Sequence, residues 1–319
     1  METGGTDDLT VLERELNASA LAQMHPLVKA WRGDQIDADI GETTAALVAL
    51  ISDEAAARGF AAIMKVLALP PEPFKARLVE IDGHRFLAQI DFTDPSAELP
   101  FVAVARATTP PGAIADAGVL RRLAAEFAVF APRRVQFYHS AHVPLAMPGT
   151  YVDRHFLAAP ASEMAARAPA PGLTRVALRR PADLRFYPRY AEAYDQMFLE
   201  RPQLRGDIRV EREESLARCQ AEGSLYEIEV DGAWAGIVAA RRQVLADLRG
   251  VDMTEIVLCR RARGQGLGPA VHQRFAAEIA AADPAAILTG TISPLNGPSL
   301  KAASRAGRVE IGAWYWLDV

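Results

Sequence analysis

The stretch RRARGQGLG at residues 260–268 combines three arginines with three glycines at alternate positions, Gly264, Gly266 and Gly268. Glycines leave backbone N–H groups accessible, because a side chain would keep a ligand away from them. Where such a segment leads into a helix, these groups and the positive end of the helix dipole form a site for anions, usually phosphate. Arg263 adds a charged donor. These residues therefore predict a site for a phosphorylated ligand.

Spacing excludes two common nucleotide-binding loops. The dinucleotide motif G-x-G-x-x-G requires a glycine three residues after the second one, but here Gly266 is followed by Gly268 and Pro269. The P-loop G-x-x-x-x-G-K-[ST] requires a lysine in the loop, and the next lysine in the chain is Lys301, in a different element. The sequence therefore predicts a different type of phosphate-binding loop.

Residues 263–268, RGQGLG, resemble the [QR]-x-x-G-x-[GA] loop of GNAT-type N-acyltransferases. The segment NGPSLKAASRAG at 296–307 is similar to the second signature of that family, an Asn followed by a short helix and a glycine. The resemblance covers about residues 172–319 and implies a GNAT acetyltransferase domain with acetyl-CoA as its cosubstrate. It assigns cofactor contacts to the following residues: Leu258, Cys259, Arg263, Gly264, Gln265, Gly266, Leu267, Gly268 and Asn296.

Two of these assignments depend on backbone groups, and one has an alternative. In the family, the strand before the loop parts from its neighbour, and its free N–H groups bind the thioester carbonyl; the resemblance gives this role to Leu258 and Cys259. Preorganised amides of this kind stabilise the charge that develops on the oxygen. Asn296 is equally suited to cap the helix that follows it.

Glu255 is the candidate general base. The segment TEIVLC at 254–259 resembles the strand that carries a glutamate base in histone-acetyltransferase-type members of the family. A carboxylate among apolar neighbours has a raised pKa that suits proton abstraction near neutral pH. The alternative is an exposed glutamate at the end of a strand, without a catalytic role.

The predicted function is direct transfer of an acyl group from acetyl-CoA to an amine, either a small molecule or a peptide. Many family members have a tyrosine acid seven residues after the signature Asn, but here that position is Ala303. A non-catalytic CoA-binding sensor or scaffold protein with the same fold is therefore the alternative. The acidic composition favours a cationic acceptor, although net charge does not determine the charge of one pocket.

The elements that must position these residues form a mixed α/β pattern. The loop follows an apolar strand at 253–260 and precedes a helix whose Leu267, Val271, Phe275 and Ile279 recur every four residues, as on one buried helix face. Asp231-Gly232, between two apolar segments, predicts a hairpin. Strands and helices alternate only in part, which predicts hairpins together with a crossover.

The N-terminal part, residues 1–160, is predicted to be a second α/β domain, and one interpretation is a degenerate GNAT copy that lacks the loop motif. Small residues and prolines at 158–172 predict a linker between it and the domain at 172–319. His139 and His142 have no third ligand beside them in the sequence, so no metal site is predicted. The predicted elements are helices over 43–68, a hairpin at Asp82-Gly83, a strand at 101–107, a helix at 119–131 and a strand at 134–140.

Composition places the chain among soluble globular proteins. Its 319 residues exceed the usual size of a single core, and two domains are expected. A net charge of -5 argues against a nucleic-acid partner, and the two cysteines do not indicate a disulfide framework. The acidic start METGGTDDLT does not resemble a signal peptide, and the apolar run at 45–51 is too short to cross a membrane. We therefore expect a cytoplasmic protein, and the sequence does not predict its oligomeric state.

Overall fold

The computed structural model describes residues 4–64, 67–93, 99–114 and 116–319. Its helices are α1 (Gly4–Gln23), α2 (Pro26–Arg32), α3 (Ile36–Ala49), α4 (Glu54–Ile63), α5 (Ala117–Ala125), α6 (Ala161–Ala166), α7 (Tyr187–Glu200), α8 (Glu213–Ala221), α9 (Gly268–Ala282) and α10 (Gly297–Arg305). Its strands are β1 (Arg77–Ile81), β2 (His84–Phe92), β3 (Pro100–Ala107), β4 (Arg134–Ser140), β5 (Thr150–Pro160), β6 (Val176–Arg179), β7 (Leu225–Val230), β8 (Ala233–Leu245), β9 (Leu248–Leu258), β10 (Ile287–Ile292) and β11 (Val309–Asp318). The predicted mixed α/β class is confirmed.

The chain forms two compact units that are interleaved in sequence. Unit 1 consists of the residues up to Asp153 together with Ala246–Leu248 and Ile311–Val319, and unit 2 consists of Arg154–Leu245 and Arg249–Glu310. The last strand, β11, thus belongs to unit 1 from Ile311 onward. The units do not coincide with the segments 1–160 and 172–319, whose status as domains stays a prediction.

Unit 1 is built on a sheet with the strand order β1-β2-β3-β4-β11. Strands β1, β2 and β3 pair antiparallel, β3 runs parallel to β4, and β4 pairs antiparallel with β11. The predicted hairpin joins β1 to β2, and both turn residues, Asp82 and Gly83, have positive φ angles of 52° and 78°. A two-residue turn of this kind matches the twist of the strands. Residues 65 and 66 of the helical segment predicted at 43–68 lie outside the described residues.

Unit 2 has a sheet with the order β5-β10-β9-β8-β7-β6 and helices on both faces. In β8, Val238 packs with α9, whereas its neighbours Ile237 and Ala239 pack with α7 and α8. Because side chains alternate along a strand, α9 lies on the face opposite α7 and α8. The four-residue stripe of α9 is buried, as its spacing predicted. Asp231 and Gly232 form the predicted hairpin turn between β7 and β8.

Residues 158–172 do not form the predicted loose linker. They include the end of β5, the whole of α6 and a turn, and Ala159, Ala161 and Met164 are buried in the cluster under α9. The prediction was wrong because it took small residues as a sign of little burial, whereas here small side chains allow α6 to pack closely on the core. No helix among the described residues combines the length and the apolar character needed to cross a bilayer.

Candidate functional site

The glycine loop connects β9 to α9 in unit 2. After β9, residues Arg260–Ala262 form a short 3-10 turn, and the loop continues to Leu267. Gly264 and Gly266 have positive φ angles of 75° and 73°, which residues with a side chain rarely adopt. A β-carbon at either position would meet no atom within 4 Å. The loop is therefore open above both glycines and is not filled by side chains of the chain itself.

The N-terminus of α9 is available to an anion. The residue before the helix, Leu267, provides no side-chain hydrogen bond to the first turn, and Pro269 occupies a position where a helix needs no N–H donor. The free N–H groups of a first turn carry a partial positive charge. Gly268 differs from the other two glycines, because a β-carbon there would lie 2.7 Å from Cβ of Ala302. This glycine lets α9 pack closely on α10.

Strand β9 parts from its parallel neighbour β10. The two strands pair at Val251–Leu288 and Asp252–Thr289, and no described residue beyond these continues the ladder between them. Just past this point Thr254 and Glu255 both face α7 and α8, since Met253 before them packs on the α9 side and Glu255 binds tyrosines of α7. Two consecutive residues on one face are typical of a bulge, which turns a strand away from its partner.

The two predicted carbonyl-binding amides differ in their surroundings. The Cys259 N–H donates to the carbonyl oxygen of Ala235 at 2.7 Å, so this amide already has a partner on the β8 side. Neighbouring N–H groups of a strand point to opposite edges, which directs the Leu258 N–H toward the gap beside β10. Strands β8 and β9 approach closely here, because a β-carbon at Gly236 would collide with the Val257 carbonyl oxygen.

The side chains of Arg263 and Gln265 hold the loop in place. The Arg263 guanidinium donates to the carbonyl oxygens of Ala193 (3.1 Å) and Leu258 (3.3 Å) and forms an ion pair with Glu200. It thus ties the start of the loop to α7. Gln265 donates to the Arg261 carbonyl oxygen at 2.6 Å and accepts from Arg175.

Glu255 is buried, with 4% of its surface exposed, and is not an exposed strand-end residue. Its two carboxylate oxygens accept hydrogen bonds from the hydroxyls of Tyr190 (2.5 Å) and Tyr194 (2.7 Å). Burial raises the pKa of Glu255 to about 7, against the opposing effect of both hydroxyls. Neither tyrosine was predicted from the sequence. Their four-residue spacing places them on one helix face, but only the fold shows that this face meets β9.

The second signature caps a helix. The Asn296 side chain accepts a hydrogen bond from the Ser299 N–H at 3.4 Å, at the start of α10. Ala303 is fully buried, and its methyl group cannot donate a proton.

Unit 1 contains a junction of the same type, β3–loop–α5–β4, with β3 and β4 parallel. Here the ladder runs through four residue pairs, from Phe101–Arg134 to Val104–Phe137. The Asp116 side chain caps α5 by accepting from the Gly118 N–H at 2.7 Å. A β-carbon at Gly112, the glycine of this loop, would collide with the His139 ring. This junction is therefore closed.

No protein-family model matches the sequence, and no curated protein matches it. Among solved structures, a GCN5-related N-acetyltransferase from Sphaerobacter thermophilus is 16% identical, covers 83% of this chain and 91% of its own, and gives a TM-score of 0.46. A GNAT-family acetyltransferase from Colwellia psychrerythraea is 11% identical, with coverages of 76% and 85% and a TM-score of 0.48. A tandem GNAT protein from the clavulanic acid biosynthesis pathway is 15% identical, with coverages of 80% and 87% and a TM-score of 0.41.

Proposed function

We propose that the chain is a GNAT-type N-acyltransferase that uses acetyl-CoA as its acyl donor. One observation carries the proposal: at a single junction of unit 2, an open glycine loop, an uncapped helix N-terminus and a parted strand occur together. The first two features fit a diphosphate, because free backbone amides and a helix N-terminus both favour anions. The gap between β9 and β10 is suited to the arm that links the diphosphate to the thioester.

Each part of the junction has a role in this proposal. Bound acetyl-CoA supplies an activated thioester. The amides of Gly264–Gly268 bind its diphosphate, and the Leu258 N–H binds the carbonyl oxygen. The Cys259 amide takes no part, because it donates to Ala235. Arg263 positions the loop against α7, and Asn296 positions α10.

The reaction requires the movement of two protons. The amine nitrogen bonds to the carbonyl carbon and loses a proton, while the C–S bond breaks and the thiolate gains a proton. We assign the first proton to Glu255, whose pKa near 7 allows it to accept and release protons at neutral pH. Both of its oxygens accept from tyrosines inside the buried site, and we route the proton through one of these hydroxyls. With Ala303 at the usual position of the acid, water protonates the thiolate.

The burial of Glu255 and the alanine at position 303 also favour the second candidate, a CoA-binding protein without catalysis. The Glu255 carboxylate is closed off behind α7, and a buried alanine occupies the position of the acid. Such a protein would keep the loop for binding and lose the groups that move protons.

Two measurements distinguish these functions. A ligand that binds only the folded state, at about a hundred times its Kd, adds about 2.7 kcal/mol to the free energy of unfolding. Both candidates predict this gain with acetyl-CoA, and its absence would refute both. Thioester consumption with a panel of amines then separates them: turnover with any amine supports the enzyme, and binding without turnover supports the sensor.

We further propose that unit 1 is a degenerate copy that does not bind CoA. Its closed junction supports this proposal, since a carboxylate occupies the helix N-terminus where the diphosphate would lie. Isothermal calorimetry should give one acetyl-CoA per chain. A stoichiometry of two would show that unit 1 binds as well.

A further inference from the structure

A pocket of about 740 Å³ opens in unit 2 beside the C-terminal end of β9. Helix α7 lines it with Arg189, Glu192, Ala193 and Gln196, which lie on one face of the helix because they are three, four and seven residues apart. Trp234 and the residues that follow β9 form the rest of the lining. Its volume is typical of sites for small molecules.

The charge of the pocket is opposite to that of the chain. Three arginines line it, Arg189, Arg260 and Arg261, against one glutamate, Glu192, although the net charge of the protein is -5. Two of the arginines already have partners: Arg260 pairs with Glu200, and Arg261 donates to the Trp234 carbonyl oxygen. In the part of the chain that the structure describes, the exposed Arg189 guanidinium makes no side-chain hydrogen bond or close ion pair, although its charge opposes the burial that raises the pKa of Glu227. Its N–H donors are therefore available to an anionic group.

The pocket begins where the proposed reaction takes place. Cys259 contributes to its lining, and the preceding residue, Leu258, carries the amide assigned to the thioester carbonyl. Arg263 connects the glycine loop to the Ala193 carbonyl oxygen, and Ala193 is itself a pocket residue. A molecule in this pocket would contact α7 and Cys259, the residue next to that amide.

We propose that this pocket binds the acceptor and that the acceptor is an amine that also carries a carboxylate, as an amino acid does. This inference rests on the proposed acyl transfer. Arg189 binds the carboxylate, and Glu192, one helical turn away, faces the amino group. The Trp234 side chain supplies an apolar wall for the body of the molecule. This substrate class differs from the cationic acceptor that composition alone favoured.

The test compares the twenty amino acids with their α-carboxamides, which keep the amine and lose the negative charge. For the wild-type protein with saturating acetyl-CoA, we expect a kcat/KM for the best amino acid about tenfold or more above that for its amide, the value of one charged hydrogen bond. Arg189→Gln should remove this preference by raising KM for the acid only. Arg185→Gln is the matched control, because Arg185 is 92% exposed and lies one turn earlier, outside the pocket lining.

Calorimetric titration of the same amino acids and their amides, with CoA present, tests the inference even if the protein shows no turnover. Carboxylate-dependent binding that Arg189→Gln abolishes would support the pocket even if no thioester is consumed, in which case only the enzymatic proposal fails. Equal use of acid and amide by the wild-type protein, or an equal loss for both in Arg189→Gln, would overturn the inference. A third outcome would also overturn it: if Arg189→Gln weakens binding of CoA but not of dephospho-CoA, the arginine binds the cofactor's 3′-phosphate.

Discussion

The two strand–loop–helix–strand junctions described in units 1 and 2 have the same order of elements. They differ in whether the helix has a side-chain cap and whether the loop glycines are covered. In unit 1 the helix α5 is capped by Asp116, and its loop glycine packs under a histidine ring. In unit 2 the helix α9 has no side-chain cap, and two loop glycines face open space. The same topology thus gives a closed turn in one unit and an open loop before an uncapped helix in the other. The proposed function depends on the backbone groups of this open loop.

The parallel strands next to each junction differ in how many residues they pair. β3 and β4 pair at four positions, whereas β9 and β10 pair at two before they part. β9 carries a buried carboxylate at the parting point, and the sequence of β3, PFVAVARA, contains no acidic residue. Opening a sheet costs backbone hydrogen bonds. Of the two parallel ladders, the one beside the open junction is the shorter.

Closing the open loop of unit 2 should remove the difference between the two junctions, and we expect the largest effect from this change. We expect Gly266→Asp to be about 4 kcal/mol less stable than the wild-type protein at saturating acetyl-CoA, with about 2.7 kcal/mol from lost binding and about 1 kcal/mol from a β-carbon at positive φ. Gly232→Asp is the matched control, since Gly232 has a φ of 77° and open space above it in a hairpin turn. It should lose only the second contribution. Chemical denaturation with and without acetyl-CoA measures the binding and the strain contributions separately. If acetyl-CoA still stabilises Gly266→Asp, the loop does not bind the diphosphate.

The buried carboxylate of β9 gives the next largest effect. The pKa of Glu255 is about 7 in the folded protein against an ordinary 4.5. Between these values the unfolded chain loses a proton that the folded state keeps, so the wild-type protein should lose about 3 kcal/mol of stability as pH rises from 4.5 to 8. Urea denaturation of Glu255→Gln over the same range should lack this loss. Parallel pH profiles for the two proteins would contradict the buried titration.

A smaller effect distinguishes the glycine that allows helix packing, Gly268, from the two glycines that leave the loop open. Gly268→Ala places a methyl group 2.7 Å from Cβ of Ala302, and we expect overpacking to lower the free energy of unfolding by about 2 kcal/mol. The stabilisation by acetyl-CoA should remain, because the substitution keeps the Gly268 amide that we assign to the diphosphate. If the variant instead keeps its stability and loses the ligand effect, the added methyl group lies where the cofactor binds.

The smallest effect tests the closed junction. Asp116→Ala removes the cap of α5 and should cost about 1 kcal/mol of stability. The stoichiometry of acetyl-CoA should stay at one, because the His139 ring still packs over Gly112. Calorimetry that finds a second site in this variant would show that one carboxylate alone had closed unit 1.

The sequence predicted local features well and side-chain partners poorly. The loop, the stripe of α9 and both hairpins depend on residues close in sequence, and the structure contains them. The tyrosines that bind Glu255, the contacts of Arg263 and the packing role of Gly268 depend on how α7 and α10 lie against the sheet. Strand periodicity could not reveal that Thr254 and Glu255 lie on the same face.

The membership of β11 in unit 1 has a consequence for how the chain is made. A ribosome delivers residues in order, and protein domains usually fold as they emerge. Unit 1 contains the earliest residues, yet its sheet lacks an edge partner for β4 until Ile311–Val319 are released. The sheet of unit 1 is therefore completed only after residues 311–319 have been synthesised. Removing residues 311–319 would leave β4 without its antiparallel partner.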